Sequence, residues 1–88
     1  MNTVYFCAVT EYESGWGNRP DGYLIAVDRP SIEKRAEMIN RHTGAEFSRT
    51  EEIRIGIVTD ECYARVKNDP SGCIWNLKND SKNWLLDS

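Results

Sequence analysis

Three cysteines and a single histidine, Cys7, Cys62, Cys73 and His42, are the residues of this chain best suited to metal or nucleophilic chemistry. A Cys₃His set is a common zinc complement. The spacing argues against it here. No Cys-x₂₋₄-Cys knuckle is present, and Cys7 and Cys73 sit in apolar runs, where a free cysteine behaves as a small hydrophobe. A Cys–His nucleophilic pair needs both side chains within hydrogen-bond reach, beside an oxyanion hole. His42 falls near a predicted helix end, where a cation is welcome. Glu11, Glu13, Asp21 and Asp28 crowd one region, which leaves paired acid–base chemistry open. With 14 carboxylates in 88 residues, however, such proximities arise without function. The expectation is a non-enzymatic chain with no metal and no cofactor.

The second candidate is the segment 13–22, ESGWGNRPDG. Gly15-x-Gly17 invites comparison with phosphate-binding loops, but no third glycine, no Lys-Ser/Thr and no helix follow at the required places. Recognition of a partner is the stronger reading. Tyr12, Trp16, Arg19 and Tyr23 are of types enriched at interface hot spots, with Glu13 and Asp21 beside them. Trp16, between two glycines, either packs back onto the sheet or is offered to a partner. Arg19 either pairs with Glu13 or Asp21 or makes that contact itself. On the recognition reading, Arg19→Ala weakens binding and leaves the melting temperature nearly unchanged.

The elements that must position these residues can be read from period and punctuation. Eighty-eight residues make one small domain, 1–88, with a modest core. Residues 2–12 are rich in β-branched and aromatic types and apolar on both faces, which predicts a central strand or one covered on both sides. Residues 13–22 read as a loop that ends in a Pro20-Asp21-Gly22 turn. Residues 23–27, YLIAV, then form a second strand, antiparallel to the first.

Asp28 is a candidate N-cap for a helix with Pro30 in its first turn. Ile32, Ala36 and Ile39 mark the inner stripe, Glu37 and Arg41 form an i,i+4 pair, and Gly44 serves as the C′ residue. Residues 52–58, EIRIGIV, alternate cleanly, so Ile53, Ile55 and Ile57 are expected to face that stripe. Truncating Ile55 would then cost about 2–5 kcal/mol.

Thr59 reads as the cap of a short helix with Tyr63 and Val66 inward, and residues 69–72 as a turn. Residues 73–77 read as a strand. The tail SKNWLLDS is either a last helical turn capped by Ser81 or a loose end. The sum is an α+β fold: a sheet of about four strands in ββαβ(α)β order, with one or two helices packed on it.

Composition narrows the function. The chain is 40% hydrophobic and 28% charged, with a formal net charge of −3. No apolar run is long enough to span a membrane, and the start of the chain lacks the pattern of a signal peptide. Odd, widely spaced cysteines favour a reducing cytoplasm. Acidic balance disfavours direct nucleic-acid binding, which leans on phosphate neutralisation. A local patch around Arg29, Arg35 and Arg41 is the alternative, and a nucleotide-binding or enzymatic domain built on the 13–22 loop is another. Oligomeric state is not legible.

Gly15-Trp16-Gly17, Arg19-Pro20-Asp21-Gly22, the apolar strand after them and the charged helix together resemble a group of small phage, prophage and bacterial proteins. That group shares a GWG-x-RP-(D/E)-G hairpin loop. The resemblance covers roughly the first half of the chain and implies a shape and a setting. Small acidic phage proteins often bind and inhibit host machinery, including CRISPR effectors and other defence nucleases. A host or phage protein partner is therefore expected, in the cytoplasm of the host cell.

Overall fold

An extended chain that alternates Val4, Phe6 and Ala8 with Tyr5, Cys7 and Val9 carries apolar side chains on both faces. Such a strand has to be covered twice. The computed structural model describes residues 2–13, 15, 17–76 and 82–87. In it the first strand, β1 (Thr3–Glu13), runs through the middle of an antiparallel sheet. On one side it pairs with β2 (Gly17–Ala26). Along its other side it meets two strands in succession, β4 (Arg54–Val58) against residues 3–6 and β3 (Glu46–Thr50) against residues 9–13. Outside these, β5 (Cys73–Asn76) pairs with β2, and β6 (Leu85–Asp87) pairs with β4.

Two helices cover the two faces. The first, α1 (Arg29–Arg41), begins as its sequence suggests. The Asp28 carboxylate accepts from the Ser31 N–H at 2.8 Å; the Ser31 side chain and then this N–H hold Asp28 below the ordinary carboxylate range, and Pro30 lies in the first turn. Ile32, Ala36 and Ile39 pack onto Cys7, Val9, Leu24, Ala26 and Cys73. The second helix, α2 (Asp60–Asn68), is capped by the Thr59 hydroxyl, which accepts from the Cys62 N–H. Cys62 and Val66 join Val4, Phe6, Ile25, Val58 and Trp84 in a separate core on the opposite face. Each fully buried Leu or Ile in these cores contributes about 1.5–3 kcal/mol. No helix among the described residues is long and apolar enough to cross a membrane.

The architecture is α+β overall, but the expected sheet of about four strands in ββαβ(α)β order is overturned. Six strands are present among the described residues, in the order ββαββαββ. The two missed strands are β3 and β6. Neither has an apolar period of its own, because each is stabilised by the neighbour it pairs with. The tail 81–88 was expected to be helical or loose. Its described part instead pairs with β4 and buries Trp84, while Ser81 lies outside the described residues.

The 13–22 loop is likewise corrected. Residues 17–20 continue the hairpin, in register with residues 10–13 of β1. Pro20-Asp21-Gly22 is a bulge, not a turn: Asp21 and Gly22 together oppose Val9, and Gly22 takes φ 81°. Proline is tolerated because β2 is an edge strand there, its partner β5 reaching only residues 23–26. Gly44 is not the helix C′ residue either. The helix closes at His42, which leaves in an extended conformation.

The face of β4 is inverted relative to its pattern. Gly56 and Val58 are buried, Ile57 is partly covered and Ile55 is 53% exposed, while Ile53, just before the strand, packs against the Ile32, Ala36 and Ile39 core as expected. A Cβ at Gly56 would lie 2.8 Å from both Phe6 Cε1 and Leu85 Cδ1 and 2.9 Å from the Asp87 carbonyl oxygen. That close approach lets β6 and Phe6 seat on β4. It is invisible in a pattern that scores glycine as a gap.

These assignments can be checked by urea unfolding. Ile32→Ala is expected to cost about 2–5 kcal/mol, whereas Ile55→Ala is expected to stay within about 0.5 kcal/mol. Gly56→Ala is expected to destabilise by about 1–3 kcal/mol through overpacking. A costly Ile55→Ala beside a neutral Gly56→Ala would mean that the other face of β4 is buried.

Candidate functional site

At about 3.3 Å per residue, the eleven residues of β1 reach along most of the 43 Å long axis of the molecule. The thirteen residues of α1, at about 1.5 Å each, cover about half of that length. Residues 10–13 of β1, 17–20 of β2 and the strand β3 therefore form a three-stranded tongue that runs past the end of the helix. Side chains alternate along it, so Glu11 and Tyr12 leave opposite faces.

On the Glu11 face the sheet and the end of α1 enclose a cleft of about 320 Å³. Glu11, Asp21, His42, Glu46, Phe47, Ser48 and Trp75 line it, together with Ile39 of α1. The Trp75 indole N–H donates to the Asp21 carbonyl oxygen at 2.8 Å, which fixes the ring against the bulge. Arg19 reaches Glu11 across the strand pair, its Nη2 at 2.6 Å and its Nε at 3.0 Å from Glu11 Oε1. This hydrogen-bonded pair holds the Arg19 guanidinium above its ordinary value, while its side chain stays 69% exposed. Burial pushes the Asp21 carboxyl up, Glu11 adds to the shift, and Arg19 opposes it.

On the other face Tyr12 stacks on Phe47, with ring centroids 5.3 Å apart and planes within 16°. The Arg49 guanidinium lies 4.6 Å from the centre of the Phe47 ring and donates to the carbonyl oxygens of His42 and Ser48. Neither ring belongs to the two cores.

The sequence-derived site residues are thus divided. Glu11 and Asp21 line the cleft, and Arg19, outside its lining, forms its ion pair with Glu11 and not with Glu13 or Asp21. Tyr12 belongs to the opposite face of the tongue, and Glu13 stands opposite Gly17 and Glu46 at its far end. Tyr23 lies apart, edge-on to Trp84 at 5.3 Å. Trp16 lies outside the described residues. Sequence reasoning did not single out Phe47, Arg49, Glu46 or Trp75. The aromatic and arginine content of EFSRT, residues 46–50, was the available signal.

Chemically the cleft is suited to holding positive charge. Ser48 and His42 both line it, but no hydrogen bond joins them among the described residues, so the hydroxyl has no adjacent base. Burial raises all three thiols, Cys7 to about 12, which leaves them protonated and poor nucleophiles. No group of three or more His, Cys, Asp or Glu among the described residues could hold a metal ion. Arg29 and Arg41 line a separate groove together with Glu33, Glu37, Glu51 and Glu52, so their charge is interleaved with carboxylates. Comparison of the chain with models of protein families, with curated proteins and with solved structures finds no match.

Asp21 makes a prediction about pH. A carboxyl with a folded pKa above its unfolded value favours the folded state below the unfolded value. That contribution is lost as the pH rises through the folded pKa. Asp21→Asn is therefore expected to melt at or above the wild-type temperature at neutral pH. The gap should close as the pH falls to the ordinary carboxylate value of 3.8. A variant that melts well below wild type at neutral pH, by a margin that shrinks as the pH falls, would instead show that the ionised carboxylate is stabilising.

Proposed function

We propose that this chain is a protein-binding module that engages its partner through the tongue of β1, β2 and β3. The observation that carries this reading is the Tyr12–Phe47–Arg49 stack, whose rings lie on a stretch of the sheet beyond the residues of either core. Rigid aromatic side chains next to an arginine supply large contact area at low entropic cost, the composition of an interface hot spot. Strand pairing preorganises them, which lowers the cost of binding further. The resemblance of the first half of the chain to small phage and prophage proteins supports a component of host machinery, such as a defence nuclease, as the partner, met in the host cytoplasm. The action proposed is inhibition or modulation by occupancy.

The test is affinity capture from bacterial lysate with four forms of the chain: wild type, Tyr12→Ala, Arg19→Ala and Lys67→Ala, the last on α2 away from the tongue. One protein should be retained by wild type and by Lys67→Ala, and at least tenfold less by Tyr12→Ala and Arg19→Ala. Melting temperatures should stay nearly unchanged for Arg19→Ala. Equal retention by all four forms would place the contact surface elsewhere on the molecule.

A further inference from the structure

The cleft beside the tongue has a definite size and charge. At about 320 Å³ it sits at the low end of the range of ligand pockets, about 300–1,000 Å³, with room for one long side chain and little more. Three of its lining residues, Glu11, Asp21 and Glu46, carry carboxylates. Among the described residues, the ion pairs are Arg19–Glu11 and Arg41–Glu37, so Asp21 and Glu46 form none. Both Arg19 contacts use Glu11 Oε1. The remaining feature is an indole, Trp75, whose orientation is locked by its bond to the Asp21 carbonyl. Tryptophan is the strongest aromatic partner for a cation.

Carboxylates that outnumber the nearby Arg19 guanidinium, two of them with no ion-pair contact of their own among the described residues, complement a planar organic cation beside a fixed indole. A guanidinium fits better than an ammonium. It is flat, weakly hydrated, stacks on aromatic faces and presents a fork of donors that matches carboxylates. A metal ion fits less well, since the described residues offer no set of ligands for one. The net charge of −3 would also draw a basic segment toward the chain.

We propose that the cleft receives an arginine side chain of the partner protein, set against the Trp75 indole and held by the carboxylates of Asp21 and Glu46. The proposal rests on the protein-binding reading of the tongue and names the chemistry of the partner there. Contact on the aromatic face and capture of an arginine on the acidic face would grip the tongue from both sides.

The test uses the full ¹⁵N-labelled chain and three blocked tripeptides, Ac-Gly-X-Gly-NH₂, with arginine, lysine or citrulline at X. Citrulline keeps the shape of arginine and removes the charge. The indole N–H signal of Trp75, identified by its loss in Trp75→Phe, is followed by NMR. The arginine peptide should shift that signal saturably, with a dissociation constant of order 1 mM. Binding should be at least tenfold weaker for citrulline, weaker for lysine, and at least tenfold weaker in the Asp21→Asn/Glu46→Gln double variant. The folded spectrum of that variant is the control. Equal binding of arginine and citrulline, tighter binding of lysine, full affinity in the double variant, or no saturable shift would each overturn the proposal. If the peptide fails while Tyr12→Ala still abolishes capture of the partner, the cleft assignment falls and the tongue reading stands. If the peptide binds while capture ignores every tongue variant, the reverse holds.

Discussion

The structure depends on one strand that is apolar on both faces and longer than what covers it. Residues 4–9 of β1 cannot be exposed on either side without losing the hydrophobic term that offsets chain entropy. Cys7 and Val9 require α1, and Val4 and Phe6 require α2 and Trp84. The opposed placement of the helices follows, and with it the need for three strands, β2, β3 and β4, to satisfy the backbone of β1 along its two sides. A chain this small has room for one such strand at its centre.

The proposed contact surface is what remains of that strand once the helices have ended. Beyond Val9 the side chains of β1 become Thr10, Glu11, Tyr12 and Glu13, and the partners become Arg19, Asn18 and Phe47. Coverage stops where the sequence stops being apolar. The cleft is the step between the last turn of α1 and the sheet that continues below it. Its charge is unbalanced because the cross-strand cation, Arg19, meets only one of the carboxylates gathered there. Rigidity comes from the same pairings that extend the tongue, so the side chains of the proposed contact surface are held on strands.

Edges are managed locally. The outer side of β3 could invite another strand. Asn40 of α1 instead accepts from the Thr50 N–H and donates to the Thr50 hydroxyl, and Arg49 donates to the Ser48 carbonyl. At the other edge, the Ser71 hydroxyl donates to the Cys73 carbonyl. These caps occupy backbone groups that strand addition would need, which favours recognition by side chains over recognition by backbone pairing.

The sequence by itself determined whatever depends on consecutive residues. The stripe of Ile32, Ala36 and Ile39, the caps at Asp28 and Thr59, the inward Val66 and the two-faced character of β1 follow from helical and strand periods and from the hydrogen bonds a cap makes three residues ahead. Only the tertiary structure decided which face of β4 is buried, because the deciding residue, Gly56, acts through the closeness of Phe6 and Leu85 and not through a side chain of its own. It also decided the length of the hairpin, because Pro20 reads as a turn until a bulge opposite Val9 accommodates it. The strands β3 and β6 are extended because β1 and β4 present unpaired backbone to them. The cleft joins residues as distant as Asp21 and Trp75, 54 positions apart, whose meeting no local pattern encodes.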